Sequence, residues 1–255
     1  MRVRPDPETF AELASAWPLV PVWTELLADV STPVGVFPSL AGHGPGVLLE
    51  SVERSERWGR YSFVAGDPAA VVVVDAEGLR VRDVVRDLPL GSVVSTGDAR
   101  ADLRALAVAL RAPHVEGLPP LTGGLVGYLS YEAAGLLDGH PFPAGEVPCP
   151  AIGLLVVDRA VVFDHWRQRL LLVAHVPNGD RESGIEALEL LAGRLASPMT
   201  PSPEPLGGDP VDTGSGTPNM SDERYRELVR TMKRHILAGD IYQGVPSRRV
   251  TFPST

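Results

Sequence analysis

The sequence predicts a mixed α+β fold. Short apolar runs punctuated by Gly and Pro recur through the first two-thirds of the chain and read as strands. Between and after them lie segments whose apolar residues fall at helical spacing. The 255 residues are 44% apolar, which is enough to bury a sizeable core.

Residues 7–29 read as helix in two pieces, with Phe10, Leu13 and Trp17 on the first and Val22, Trp23, Leu26 and Leu27 on the second. Pro18 and Pro21 separate the pieces. Val34–Phe37, Val47–Val52, Tyr61–Ala65, Ala69–Val74 and Leu79–Val81 read as strands. Residues 100–112 form an amphipathic helix carrying Leu103, Leu106, Val108 and Leu110. Gly123–Tyr131 follows as a glycine-rich strand. Ile152–Phe163 and Leu170–Ala174 make a strand pair joined by a turn around 164–168. A helix over 183–196 carries Ile185, Leu188, Leu191 and Leu195.

The composition then changes. Pro198–Pro218 holds six prolines and four glycines with almost no bulky apolar residue, so 198–220 is expected to be a flexible linker between a region 1–197 and a segment 221–255. Within the segment, Ser221–Ala238 has every mark of a helix. Ser221 can cap it, Asp222 and Glu223 sit in its positive first turn, and Gly239 can end it. Tyr225, Leu228, Val229, Met232 and Ile236 are its expected buried stripe. Ile241–Val250 reads as a strand with Pro246 limiting its pairing. One helix and one strand cannot build a core alone, so the segment is expected to be the start of a second, truncated domain.

Charge and motifs exclude several functions. A formal charge of −9 without a basic stripe argues against nucleic acid. No apolar run is long enough to span a membrane, and no secretory h-region opens the chain, so a cytoplasmic location is expected. The single cysteine, Cys149, permits neither an intramolecular disulfide nor a cysteine-cluster metal site. No Walker loop, GxGxxG, HExxH or GxSxG is present. Gly123-Gly124 could admit a phosphate to the backbone, but a strand whose glycines allow close packing is the better reading.

Four segments together resemble component I of anthranilate synthase, among the chorismate-utilising enzymes. They are Pro21–Asp29 with Thr32–Val34; Leu48-Leu49-Glu50-Ser51-Val52-Glu53 with Trp58-Gly59-Arg60-Tyr61-Ser62-Phe63; Gly123-Gly124 with Gly127-Tyr128, Tyr131-Glu132 and Phe163-Asp164-His165; and Ala238–Gln243 with Val245–Arg249. Their order and spacing span nearly the whole chain. Gly244 and Val250 depart from the family pattern, which has a bulkier residue at the first and often an aromatic at the second.

The resemblance implies that 1–197 is a regulatory and structural region and that 221–255 begins the chorismate-binding sandwich. It implies anthranilate formation from chorismate and ammonia in tryptophan biosynthesis, with ammonia supplied by a glutamine amidotransferase component II. It also implies a Mg2+ cofactor whose ligands, with the catalytic histidine, lie beyond this chain, so that the chain alone would be inactive. Leu49, Glu50 and Ser51 match the family segment that binds tryptophan as feedback inhibitor, with Ser51 the main ligand residue. A solvated strand end is the alternative. Gln243 matches a position where water-adding relatives carry a general-base lysine. A glutamine amide takes no proton near neutral pH, so it points to ammonia chemistry, or else it satisfies a strand neighbour. Two other functions stay open: aminodeoxychorismate synthase component I, and a non-catalytic amino-acid-binding module.

Overall fold

The computed structural model describes residues 1–27, 31–50, 59–91, 93–139, 149–177, 179–196 and 216–252. The chain divides into two compact units, Met1–Pro201 and Ser202–Thr255. In the first unit the order is α1 (Pro7–Ala16), β1 (Leu19–Leu27), α2 (Pro33–Ala41), β2 (Gly46–Leu49), β3 (Tyr61–Gly66), β4 (Ala70–Asp75) and β5 (Gly78–Arg82). Then come α3 (Ala99–Ala109), β6 (Gly124–Leu129), α4 (Ala133–Asp138), β7 (Ile152–Val157), β8 (Arg159–Asp164), β9 (Arg169–Pro177) and α5 (Arg181–Ala196). The second unit holds β10 (Thr217–Pro218), α6 (Asp222–Ala238) and β11 (Val250–Thr251).

Two antiparallel sheets organise the first unit. One has the order β1-β9-β8-β3-β2 and the other β5-β4-β7-β6. The chain crosses between the sheets by short connections, 67–69 between β3 and β4 and the single residue Asp158 between β7 and β8. Alternation along the strands sends side chains to opposite faces. Val22, Val64, Val161, Leu172 and Ala174 pack with Phe10 of α1, Leu40 of α2 and Leu188 of α5. On the other face Trp23, Ala65, Val162, Leu171 and Val173 pack with Val157 of the second sheet and with Leu118. That sheet buries Val72, Val74, Ile152 and Leu154 with Leu106 of α3 and Ala133 of α4.

Two expected elements change type. Residues 19–27, read as the second half of a helix, form β1. Leu19 to Thr24 are all buried, and a strand buried on both faces loses the alternation that would reveal it. Pro21 is tolerated because β1 lies at a sheet edge. Trp23, two residues on, exchanges both backbone hydrogen bonds with Arg4 on the side away from β9, so the missing N–H of Pro21 also faces outward. Val34–Phe37, read as a strand, lies inside α2. Thr32 caps that helix, its Oγ1 accepting the Gly35 N–H at 3.1 Å, and Pro33 occupies the first turn.

The end of the chain is also corrected. Residues 241–249 are irregular, and only Val250–Thr251 pairs, with Thr217–Pro218. Asn219 satisfies Arg249 instead: its Oδ1 accepts the Arg249 N–H, and its own N–H donates to the Arg249 carbonyl. Gly244 sits under α6, where a Cβ would stand 2.7 Å from the Met232 sulfur. No residue of α6 is buried. Tyr225, Leu228, Val229 and Met232 are half-buried and Ile236 is exposed, so the expected stripe is not a core face within the described residues.

Candidate effector site and its surroundings

The register of the five-stranded sheet gathers the sequence motifs at one end. Leu49 pairs with Phe63, Tyr61 with Asp164, Asp164 with Arg169, and Leu27 with Arg169. The ends of β1, β8 and β2 therefore meet the beginnings of β9 and β3. The Arg60-Tyr61-Ser62 and Phe163-Asp164-His165 motifs, a hundred residues apart in sequence, lie side by side.

A buried ion pair joins these motifs. Arg60 donates from Nε at 2.9 Å and from Nη2 at 2.7 Å to the two oxygens of Asp164, whose side chain is wholly buried. Burial alone would push the Asp164 carboxyl up. The Arg60 hydrogen bonds, the Arg167 amide and the charges of Arg60 and Arg169 outweigh it and hold the group below the usual carboxylate value. Arg169 continues the chain of charges to Glu25 at 2.6 Å. Beside this network Ser62 Oγ lies 2.7 Å from His165 Nε2. The pair has the separation of a nucleophile and base, but Ser62 is buried on the face shared with Val64, and Asp164 is committed to Arg60 rather than to the imidazole. The arrangement locks strand ends and does not offer a reactive hydroxyl.

Leu49 is 40% exposed at the edge of a tight apolar crevice between the sheets, whose volume of about 10 Å³ is little more than that of one water position. Val47, Leu49 and Phe63 form one wall; Gly123, Val126 and Val157 form the other. As it stands the crevice is closed to an aromatic ring, which could enter only by displacing these side chains. Glu50 follows Leu49 in the chain and is exposed. Ser51 lies outside the described residues. Gln243 belongs to the other unit, where it is exposed in the irregular segment after α6 rather than on a strand. The structure thus brings Leu49 and Glu50 to one sheet end and does not bring Gln243 into a site.

Among the described residues no group of three His, Cys, Asp or Glu side chains could hold a metal ion. No helix among them is long and apolar enough to cross a membrane. The sequence reading passed over His175. A lone histidine in the apolar run Leu170–Val176 was its only signal. The glycines of the Gly123-Gly124 pair serve packing and conformation: a Cβ on Gly123 would stand 2.6 Å from the His175 ring, and Gly124 has φ +113°.

Comparison with known proteins agrees with the motifs. The chain is 36% identical over 253 residues to anthranilate synthase component 1 of Streptomyces coelicolor, covering 95% of this chain and 45% of that protein. It is 34% identical over 263 residues to the Pseudomonas aeruginosa protein of the same name, covering 96% and 51%. A solved structure, anthranilate synthase component I from Streptococcus pneumoniae, matches with a TM-score of 0.47 at 20% identity, over 84% of this chain and 46% of that one. The chain spans about half the length of the curated relatives it matches. A family model described as chorismate binding enzyme matches residues 74–255. The chain therefore belongs to the family of chorismate binding enzymes.

Proposed function

We propose that this chain supplies the effector-binding region, and the opening of the chorismate-binding region, of an anthranilate synthase component 1. Such an enzyme takes chorismate and ammonia to anthranilate and pyruvate, the ammonia coming from a glutamine amidotransferase partner in the cytoplasm. The observation that carries the reading is the position of Leu49 and Glu50. The strand end that matches the family's tryptophan segment puts Leu49 on the wall of an apolar crevice that would open to take a ring, and the exposed Glu50 follows it in the chain. An amino acid with an indole ring matches that division: the ring against Val47, Leu49 and Phe63, the ammonium toward Glu50, and the carboxylate toward the hydroxyl of Ser51. Tryptophan held there would bias the enzyme between two states and lower its rate, a coupling between distinct sites.

Magnesium belongs to the proposed chemistry, where it would stabilise charge on the substrate. The described residues do not fit a site for it, so this chain is assigned no metal step. Gln243 is proposed as a hydrogen-bonding residue of the ammonia-using type and as nothing more, since its amide cannot act as a base.

The test is anthranilate formation from chorismate and glutamine by the enzyme that carries this chain, with and without tryptophan. Tryptophan is expected to inhibit, and Ser51→Ala and Leu49→Arg should each raise the inhibitory concentration at least about tenfold with kcat retained. Anthranilate formation with unchanged inhibition in both variants would reject the site. Formation of aminodeoxychorismate instead would reject the chemistry.

A further inference from the structure

A second cavity lies beside the effector crevice and has no part in the reading above. It has a volume of about 220 Å³ and opens to solvent at its mouth. Leu19, Leu88, Leu118 and Val156 give it apolar walls, and Thr122, Asp158 and His175 give it polar ones. The volume suits a single small ring rather than a drug-sized ligand, and the mixture of walls is that of a small-molecule site.

His175 is the unusual group. It is only 7% exposed, on β9. Its backbone N–H donates to the Asp158 carbonyl at 2.7 Å. Its Nε2 lies 3.2 Å from Thr122 Oγ1. Among the described residues its Nδ1 has no hydrogen-bond partner. That nitrogen is not among the sealed-off unpartnered atoms of the fold, and on a cavity wall it can take a hydrogen bond from a ligand. Gly123 lets the ring sit there, since a Cβ at 123 would meet Nδ1 at 2.6 Å and the Val157 carbonyl at 2.7 Å. Burial lowers the His175 pKa to about 4, which keeps the ring neutral at pH 7.

Asp158 is already held by two arginines, with Arg159 Nε 3.6 Å from its Oδ2. Arg86 takes both oxygens of Asp158, at 2.7 and 2.9 Å, and also bonds Asp67. No arginine is among the residues lining the cavity, whereas the Asp158 carboxylate is, and it opposes an anion. A hydroxyl suits the open nitrogen best, because it donates to an unprotonated nitrogen and accepts from a protonated one, and so fits either tautomer.

We propose that this cavity binds a small neutral ring compound bearing a hydroxyl, of the phenol class, with the hydroxyl on His175 and the ring against Leu88, Leu118 and Val156. Thr122, Gly123 and Val157 also line the effector crevice, so the two sites share a wall.

The test uses the full chain at pH 7.5, with phenol as the probe and benzoate as its anionic counterpart, read by ligand-detected NMR. Phenol is expected to bind saturably at millimolar concentration, and benzoate at least about tenfold more weakly. Ala112→Trp puts an indole into the cavity from a half-buried position and should abolish phenol binding while leaving the thermal transition in place. His175→Phe keeps a ring but removes the hydrogen bond. It should weaken phenol at least about tenfold and leave toluene unchanged, an outcome that a merely structural histidine would not produce. No saturation with phenol, equal binding of benzoate, or undiminished binding by Ala112→Trp would each overturn the proposal. If His175→Phe does not fold, the benzoate comparison and Ala112→Trp still decide it.

Discussion

Helices α5 and α6 have similar lengths and opposite fates. α5 buries Gly184, Ala187, Leu188 and Leu191 in the core it shares with β1 and β9. Gly184 is small enough to let it approach Val22, whose side chain would be 2.8 Å from a Cβ at that position. α6 is well capped and has the clearer division into apolar and charged faces, yet it buries nothing. Amphipathic spacing tells which side of a helix wants company and not whether company is present. Caps and charge pairs define where α6 starts and stops, whereas tertiary packing holds α5.

That contrast can be broken by substitution and sharpened by pH. Leu188→Ala removes a side chain with no exposure and should cost about 3–5 kcal/mol in denaturant unfolding. The same change at Leu228 of α6 should cost less than about 1 kcal/mol. Equal losses would mean that α6 is as firmly packed as α5.

Acid should attack the first unit in two windows. His175 takes up a proton in the unfolded chain near pH 6.5 but in the folded one only at about 4. Its contribution is therefore complete above pH 6.5 and is lost as pH falls toward about 4, by about 3 kcal/mol in all. His175→Gln should flatten stability across that window in urea melts. Asp164 acts lower. Its carboxyl is held below the usual 3.8, so its contribution is present above that pH and fades as pH falls through the depressed value. Retention of the pH 6.5 to 4 slope in His175→Gln would assign it to other groups.

The smallest effect should come at the α6 cap. The Ser221 hydroxyl accepts the Arg224 N–H at 3.2 Å, and Ser221→Ala should lower helix stability by about 1 kcal/mol. Amide exchange in the first turn of α6 would register it while Leu188 and its neighbours stay protected.

The strands β3, β4, β5 and β9 were legible because short β-rich runs between Gly and Pro leave few other readings. β1 was not, because burial on both faces erases alternation. α2 was misread although Thr32-Pro33 is a helix-start signal, since its apolar run also suits a strand. The irregular stretch at 241–249 shows that apolar residues become a strand only where a neighbouring edge pairs with them. At the site, Leu49 and Glu50 were marked by resemblance alone, and of the two only Leu49 is among the residues lining the crevice. The meeting of Arg60 with Asp164 depends on register across a hundred residues, which no local pattern encodes. His175 was missed because a histidine in an apolar run looks like filler until its open nitrogen and the cavity beside it are seen.

The strand order has a consequence for how the chain is made. β1 pairs with β9, so Leu27 must wait for Arg169 before its ladder can form. At about 5–20 residues per second, the ribosome delivers that partner on the order of ten to thirty seconds later. Through that interval a nine-residue, mostly apolar strand lacks its partner, and among the described residues the bridge between Arg4 and Trp23 is its other backbone pairing. Synthesis rate and chaperone supply, as much as the finished contacts, should therefore set how much of this protein reaches its sheet.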